Sequence, residues 1–181
     1  MSRSEDFQRI KSAYQDFEKE LLSQGKLTMR STNTGFWGTS DLDAVFRLFE
    51  EIHLDQFKSF LDLGSGDGRI VLVASLFTKA DGIESDAELV DKGKEIRDEL
   101  GLNAEFLCQD FLQLDFSKYD FFFINPDHRF DPALEDKLLV QAKGGVLFVY
   151  NKVFAPEKLK KGKTHWFEQV PIVEYNIEFK R

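Results

Sequence analysis

The chain has 181 residues, 42% hydrophobic and 31% charged, a balance that suits one folded domain with a sizeable core and excludes a disordered polymer. A formal net charge of -8 argues against broad binding to phosphate backbones, which needs a positive footprint, so nucleic acid is the disfavoured partner. No apolar run approaches the roughly 20 residues that span a bilayer, no signal-peptide core follows Met1, and the lone Cys108 excludes an internal disulfide and a Cys-based zinc cluster, which fits a reducing, cytoplasmic setting.

Phe7, Ile10, Tyr14, Phe17 and Leu21 recur at three-then-four spacing, which predicts a first helix, and Gly25 supplies its stop. Thr28 to Gly38, rich in Thr, Ser, Asn and Gly, reads as a loop. A second helix starts near Thr39-Ser40-Asp41, with a hydroxyl cap and acids in its first turn, and shows Leu42, Val45, Phe49 and Ile52 on one face. Residues 1–38 form an accessory element to a single domain over 1–181.

From here strands and helices alternate. Ser59 to Leu63 is a short strand, Arg69 to Phe77 a helix, and Ala80 to Glu84 a strand ending in an acid. Asp86 to Leu100 is a helix, Ala104 to Cys108 a strand with Cys108 a core residue, and Tyr119 to Ile124 an apolar strand of a sheet interior. Asp131-Pro132 opens a helix that runs to Ala142, and Val146 to Tyr150 is a further strand. His165 to Val170 and Ile172 to Phe179 read as two strands broken at Pro171, the second with the period of two of a half-buried strand. The pattern predicts an α/β, doubly wound, mainly parallel seven-stranded sheet with one antiparallel C-terminal strand and N-terminal helices. The 19 phenylalanines read as packing material and assign no function.

Chemistry concentrates at the carboxyl ends of the strands, where open α/β sheets bind ligands. A strand carrying Asp62 runs into Gly64-Ser65-Gly66-Asp67-Gly68, glycines that allow a tight turn and close approach of a ligand. A dinucleotide fingerprint needs glycine or alanine where this chain has Arg69, and no Gly-Lys-Ser/Thr follows to cradle a phosphate. Asp62 and Asp67 would repel phosphate, whereas a cationic ligand suits them, and S-adenosylmethionine carries a sulfonium and an ammonium. Glu84, ending the next strand, suits ribose hydroxyls; Asp110 suits an adenine amino group, with Phe111 beside the base.

In this order and spacing the chain resembles the seven-strand, Rossmann-like S-adenosylmethionine-dependent methyltransferases from about Thr34 to Phe179. Asp62 to Gly68 resembles their glycine motif, Glu84 their ribose acid, and Asp110-Phe111 their adenine pair. The run from Asp62 to Ile70, with the Gly35 to Thr39 segment before it, is also similar to the small archaeal and mitochondrial protein-lysine methyltransferases. The resemblance implies S-adenosylmethionine as cofactor, held by Asp62, Gly64, Ser65, Gly66, Asp67, Glu84, Asp110 and Phe111. Trp37 and Thr39 join that set if the Phe36-Trp37 segment closes over the methionine end; the alternative is that Phe36-Trp37 only packs the N-terminal segment.

Asn125-Pro126 resembles the Asn-Pro-Pro-aromatic motif that holds an amine or amide nitrogen, but Asp127 and His128 replace its last two residues. Asn125 and Asp127 are the candidates for holding a methyl acceptor, with His128 as a possible base. A protein side chain or small molecule is the expected acceptor; the rivals are a cofactor-binding module without catalysis and a nucleic-acid methyltransferase. Lys158 to Lys163 reads as a solvated face, with docking of an acidic partner as its second reading.

Overall fold

The computed structural model describes residues 2–32, 35–151 and 153–179, with the side chain of Phe179 outside the description. In chain order the elements are α1 (Arg3–Ser23), β1 (Met29–Ser31), β2 (Phe36–Gly38), α2 (Leu42–Glu51), β3 (Ser59–Leu63), α3 (Arg69–Ala74), β4 (Lys79–Glu84), α4 (Ala87–Leu100), β5 (Glu105–Cys108), β6 (Phe121–Ile124), α5 (Pro132–Gln141), β7 (Val146–Tyr150), β8 (Leu159–Phe167) and β9 (Val170–Phe179). Seven strands form one sheet in the order β5-β4-β3-β6-β7-β9-β8. Strands β3 to β7 pair in parallel, and β9 alone runs against its neighbours β7 and β8. The strand order reverses between β3 and β6, which opens a crevice beyond their carboxyl ends.

Both faces of the central strands are covered, which is why they read as unbroken apolar runs. Phe60, Phe121, Phe123 and Phe148 face the layer of α1 to α4, whereas Leu61, Leu63, Phe122 and Leu147 face α5. Aromatic rings cross the first layer as a ladder: Phe60 stacks on Phe121 at 5.4 Å and Phe121 on Phe148 at 4.9 Å. The second face carries α5 and, between β5 and β6, two 3-10 turns, Phe111–Gln113 and Phe116–Lys118.

Several local expectations change. Thr28 to Gly38 is not a plain loop: β1 and β2 pair as an antiparallel hairpin, Arg30 opposite Trp37, and Asn33 and Thr34 of that segment lie outside the described residues. Asp41 caps α2, accepting from the Asp43 and Ala44 amides at 2.9 and 3.1 Å, which releases the Ser40 hydroxyl for another use. Helix α3 ends at Ala74, short of Phe77. Cys108 is exposed. Lys160, Lys161 and Lys163 lie within β8, the edge strand, where charged side chains discourage further pairing. Pro171 does not break the last strand, because it sits inside β9 opposite Trp166 and its carbonyl accepts from the Asn151 amide at 2.8 Å.

Among the described residues no helix is long and apolar enough to cross a membrane.

Candidate active site

The turn after β3 is held from three sides. The Gly64 and Ser65 amides both donate to the Ile83 carbonyl, at 2.9 and 3.0 Å, which folds the loop over the end of β4. The Gly66 amide donates to Glu84 Oε2 at 3.1 Å, while Glu84 Oε1 accepts from the Ser85 and Asp86 amides at 2.7 and 2.9 Å. Gly66 has a φ of 54°, and a Cβ there would meet the Trp37 indole at 2.8 Å, so the hairpin packs directly on the loop. Gly64 also has a positive φ, of 73°, but a Cβ there would meet nothing within 4 Å, so its outer side is open.

A buried charge network lies beneath. Arg69 Nη2 donates to Asp67 Oδ2 at 2.7 Å and Arg69 Nη1 to Glu18 Oε1 at 2.9 Å, bringing α1 onto the loop. Burial works against the Arg69 charge, yet Asp67 and then Glu18 outweigh it and hold the guanidinium protonated. The Tyr14 hydroxyl donates to the Asp67 carbonyl at 2.8 Å, and the guanidinium lies 4.8 Å from the Tyr14 ring centre. Asp67 lines the cavity, but Arg69 engages both of its oxygens.

Asp62 is 3% exposed, and no hydrogen bond from another described residue reaches its carboxylate. Burial pushes this carboxyl well above the usual range, and Glu84 and Asp67 add repulsion. Across the crevice Asp110 Oδ1 accepts from the Leu112 amide at 2.8 Å, which sets the 3-10 turn that carries Phe111.

The acceptor side is built from β2, β6 and β7. Asn125 follows β6; its Nδ2 donates to Ser40 Oγ at 3.1 Å and its Oδ1 accepts from Asn151 Nδ2 at 3.2 Å. Asp127 accepts from the Phe36 amide and contacts His128 Nδ1. Gly35 passes so close to Asp127 that a Cβ would overlap its carboxylate. Asp127 is therefore a latch for the hairpin. Arg30 fastens the hairpin at its other strand, donating to Asp86 at 2.9 Å and Glu88 at 3.0 Å at the start of α4. The Tyr150 hydroxyl accepts from the Asp41 amide at 3.0 Å.

All the predicted site residues, from Trp37 and Thr39 through Asp62, Glu84 and Asp110 to Asn125 and Asp127, line one cavity of about 580 Å³. Arg69 and Ser40, which also line it, were not predicted there, nor were Tyr14 and Asn151, which support it from behind through Asp67 and Asn125. Arg69 read only as a mismatch to the dinucleotide pattern and Ser40 as part of a helix cap, and nothing near Tyr14 or Asn151 in sequence marks a site.

A family model described as histone methylation protein DOT1 matches residues 26–170. The chain belongs to this family. It is a seven-strand, Rossmann-like S-adenosylmethionine-dependent methyltransferase, and S-adenosylmethionine is its cofactor. A carboxy-S-adenosyl-L-methionine synthase from Helicobacter hepaticus is 32% identical over 110 residues, 54% of this chain and 45% of that relative's length. An RNA methyltransferase from Salinibacter ruber, solved with S-adenosyl-L-homocysteine, superposes with a TM-score of 0.65 at 24% identity, covering 79% of this chain and 95% of that one. A 16S rRNA methyltransferase from T. thermophilus, solved with AdoMet and guanosine, gives 0.59 at 18% identity over 77% of this chain and 44% of that one. These two solved structures share the fold.

Proposed function

We propose that the chain, acting as one domain over residues 1–181, transfers methyl from S-adenosylmethionine to a nitrogen of a protein side chain or small molecule. The observation that carries this reading is the charge of the cavity. Asp62, Asp67, Glu84, Asp110, Asp127 and Asp131 line it against Arg69 and Arg129, and both bases are already paired, Arg69 with Asp67 and Glu18 and Arg129 with Glu157. Such a lining favours a cationic or neutral guest and disfavours phosphate. The similarity to protein-lysine methyltransferases over Asp62 to Ile70 points the same way.

The residues present fit the cofactor. Asp62, a buried carboxylate without a partner among the described residues, suits an ammonium; Glu84 suits ribose hydroxyls; the open side of Gly64 leaves room for close approach. Asp110 and Phe111 would take the base. Bound S-adenosylmethionine supplies a methyl carbon made electrophilic by its sulfonium. The protein's part is position and electrostatics. The Asn125 carboxamide would accept an N–H of the acceptor and so aim the nitrogen lone pair. Trp37, 6% exposed, and the latched hairpin exclude water from one wall of the cavity. An amine attacks only when neutral, so the acceptor must shed a proton before transfer; the apolar face of Trp37 works toward that, against the pull of the cavity carboxylates.

The test is incubation of the protein and a cell extract with tritium-methyl S-adenosylmethionine. Label in the protein fraction or in a small amine, lost in Asn125→Ala, is the expected result. Nuclease-sensitive label would assign a nucleic-acid acceptor, the acceptor class named for the two solved structures. Saturable cofactor binding with no label in any fraction would make the chain a binding module.

A further inference from the structure

The Asn125 carboxamide offers opposite chemistry in its two orientations, since its oxygen accepts and its NH2 donates. A chain of hydrogen bonds decides between them, because it ends on a backbone group whose role is fixed. The Val153 amide donates to Asn151 Oδ1 at 2.8 Å. A backbone N–H only donates, so the Asn151 oxygen lies on that side and its Nδ2 lies on the other. That Nδ2 donates to Asn125 Oδ1 at 3.2 Å, which turns Asn125 Nδ2 toward Ser40 Oγ at 3.1 Å. The Ser40 hydroxyl serves as donor or acceptor equally, so it follows the orientation and does not set it. Asn151 itself has a φ of 77°, in the left-handed region that asparagine tolerates better than most residues. Its backbone amide is tied to the Pro171 carbonyl in β9.

We infer that Asn151 is a positioning residue for methyl transfer, fixing the polarity of Asn125 so that its oxygen, with a second lone pair unspent, receives an N–H of the acceptor. It thereby selects acceptors that present an N–H over those that present only lone pairs. The inference rests on the acceptor role proposed for Asn125. Asn151 lies 26 residues beyond Asn125 and touches the reaction only through it.

Two variants separate polarity from structure. Asn151→Asp keeps the shape and the tolerance of left-handed backbone but turns oxygen toward both neighbours, so Asn125 must present its NH2 to position 151 and its oxygen to the Ser40 hydroxyl. Asn151→Gly keeps the backbone and removes the carboxamide. In the protein labelled with 15N-asparagine, the Asn125 side-chain NH2 shows an Overhauser contact to the Ser40 β protons; Asn151→Asp is expected to abolish it. In the tritium-labelling assay, Asn151→Asp lowers the initial rate about tenfold, the loss of one well-placed hydrogen bond, and Asn151→Gly lowers it less. Calorimetric affinity for S-adenosylmethionine stays within about twofold in both. Persistence of the Ser40 contact in Asn151→Asp, or equal rate losses in the two variants, overturns the inference in favour of a purely structural role. An unchanged rate in Asn125→Ala overturns the acceptor role of Asn125 instead, and the NMR contact keeps the two failures apart.

Discussion

The two walls of the cavity are built in opposite ways. The wall proposed for the cofactor centres on one short stretch, Asp62 to Arg69, mostly buried and interlocked: amides on Ile83 and Glu84, a carboxylate on Arg69, an indole against Gly66. The acceptor wall is assembled from Ser40, Asn125 and Asp127, exposed except for Ser40; Asn125 is joined to Ser40 and, outside the lining, to Asn151 by single side-chain hydrogen bonds, and Asp127 to the Phe36 amide. A universal cofactor rewards rigidity, whereas an acceptor site must admit and release its partner. The difference also shows in the support behind each wall. Tyr14 and Glu18 of α1, which lies before the family match at residues 26–170, brace the cofactor loop from below.

The largest effect is expected where the cofactor wall depends on a buried charge. Arg69→Met leaves Asp67 buried without a counter-charge and should cost about 3–5 kcal/mol of stability, read from the shift in urea midpoint. A loss below about 1 kcal/mol would mean that the network does not carry the loop. Gly66→Val puts a branched side chain at positive φ and into the Trp37 indole; a loss of about 2–4 kcal/mol and of S-adenosylmethionine binding in calorimetry is expected. Binding of normal strength in that variant would break the assignment of this wall to the cofactor.

A smaller effect separates the walls by pH. The free protein holds the Asp62 carboxyl well above the usual range through burial, and an arriving ammonium favours its ionised form. Binding should therefore release a proton, and affinity should fall as pH drops below the raised pKa, by up to about tenfold per unit. Without ligand the sign is reversed for stability: a raised carboxyl pKa contributes stability below the unfolded value that is lost as pH rises through the folded one. Calorimetry in buffers of different ionisation enthalpy checks the first statement; heats independent of buffer would contradict it. The smallest effect is expected for Tyr14→Phe, about 1 kcal/mol, because it removes one donor from the Asp67 carbonyl and leaves the ring packed.

Much of the cavity wall around the glycine turn was legible because its signals are local. Glycines, the following helix and Glu84 at the end of β4 fall within a short run, and short apolar runs located β3 and β7 at their observed bounds. The hairpin at 29–38 was missed because its strands are three residues each and carry no alternation that outweighs their turn-like composition. Tertiary pairing made them strands. The run from Lys158 to Lys163 read as a solvated face; Leu159 is buried, and Lys160 to Lys163 are exposed on the edge strand β8.

By itself the sequence determined the order of the elements, the parallel sheet and the glycine turn after β3, since hydrophobic patterning and glycine placement act between near neighbours. Tertiary structure alone decided what Asp67 and Asp127 do and which way Asn125 points. Arg69, which holds Asp67, meets Glu18 across 51 residues, and Asn125 meets Ser40 across 85. Hydrogen bonds are directional, so a role carried by them is settled only when the fold brings both ends within reach.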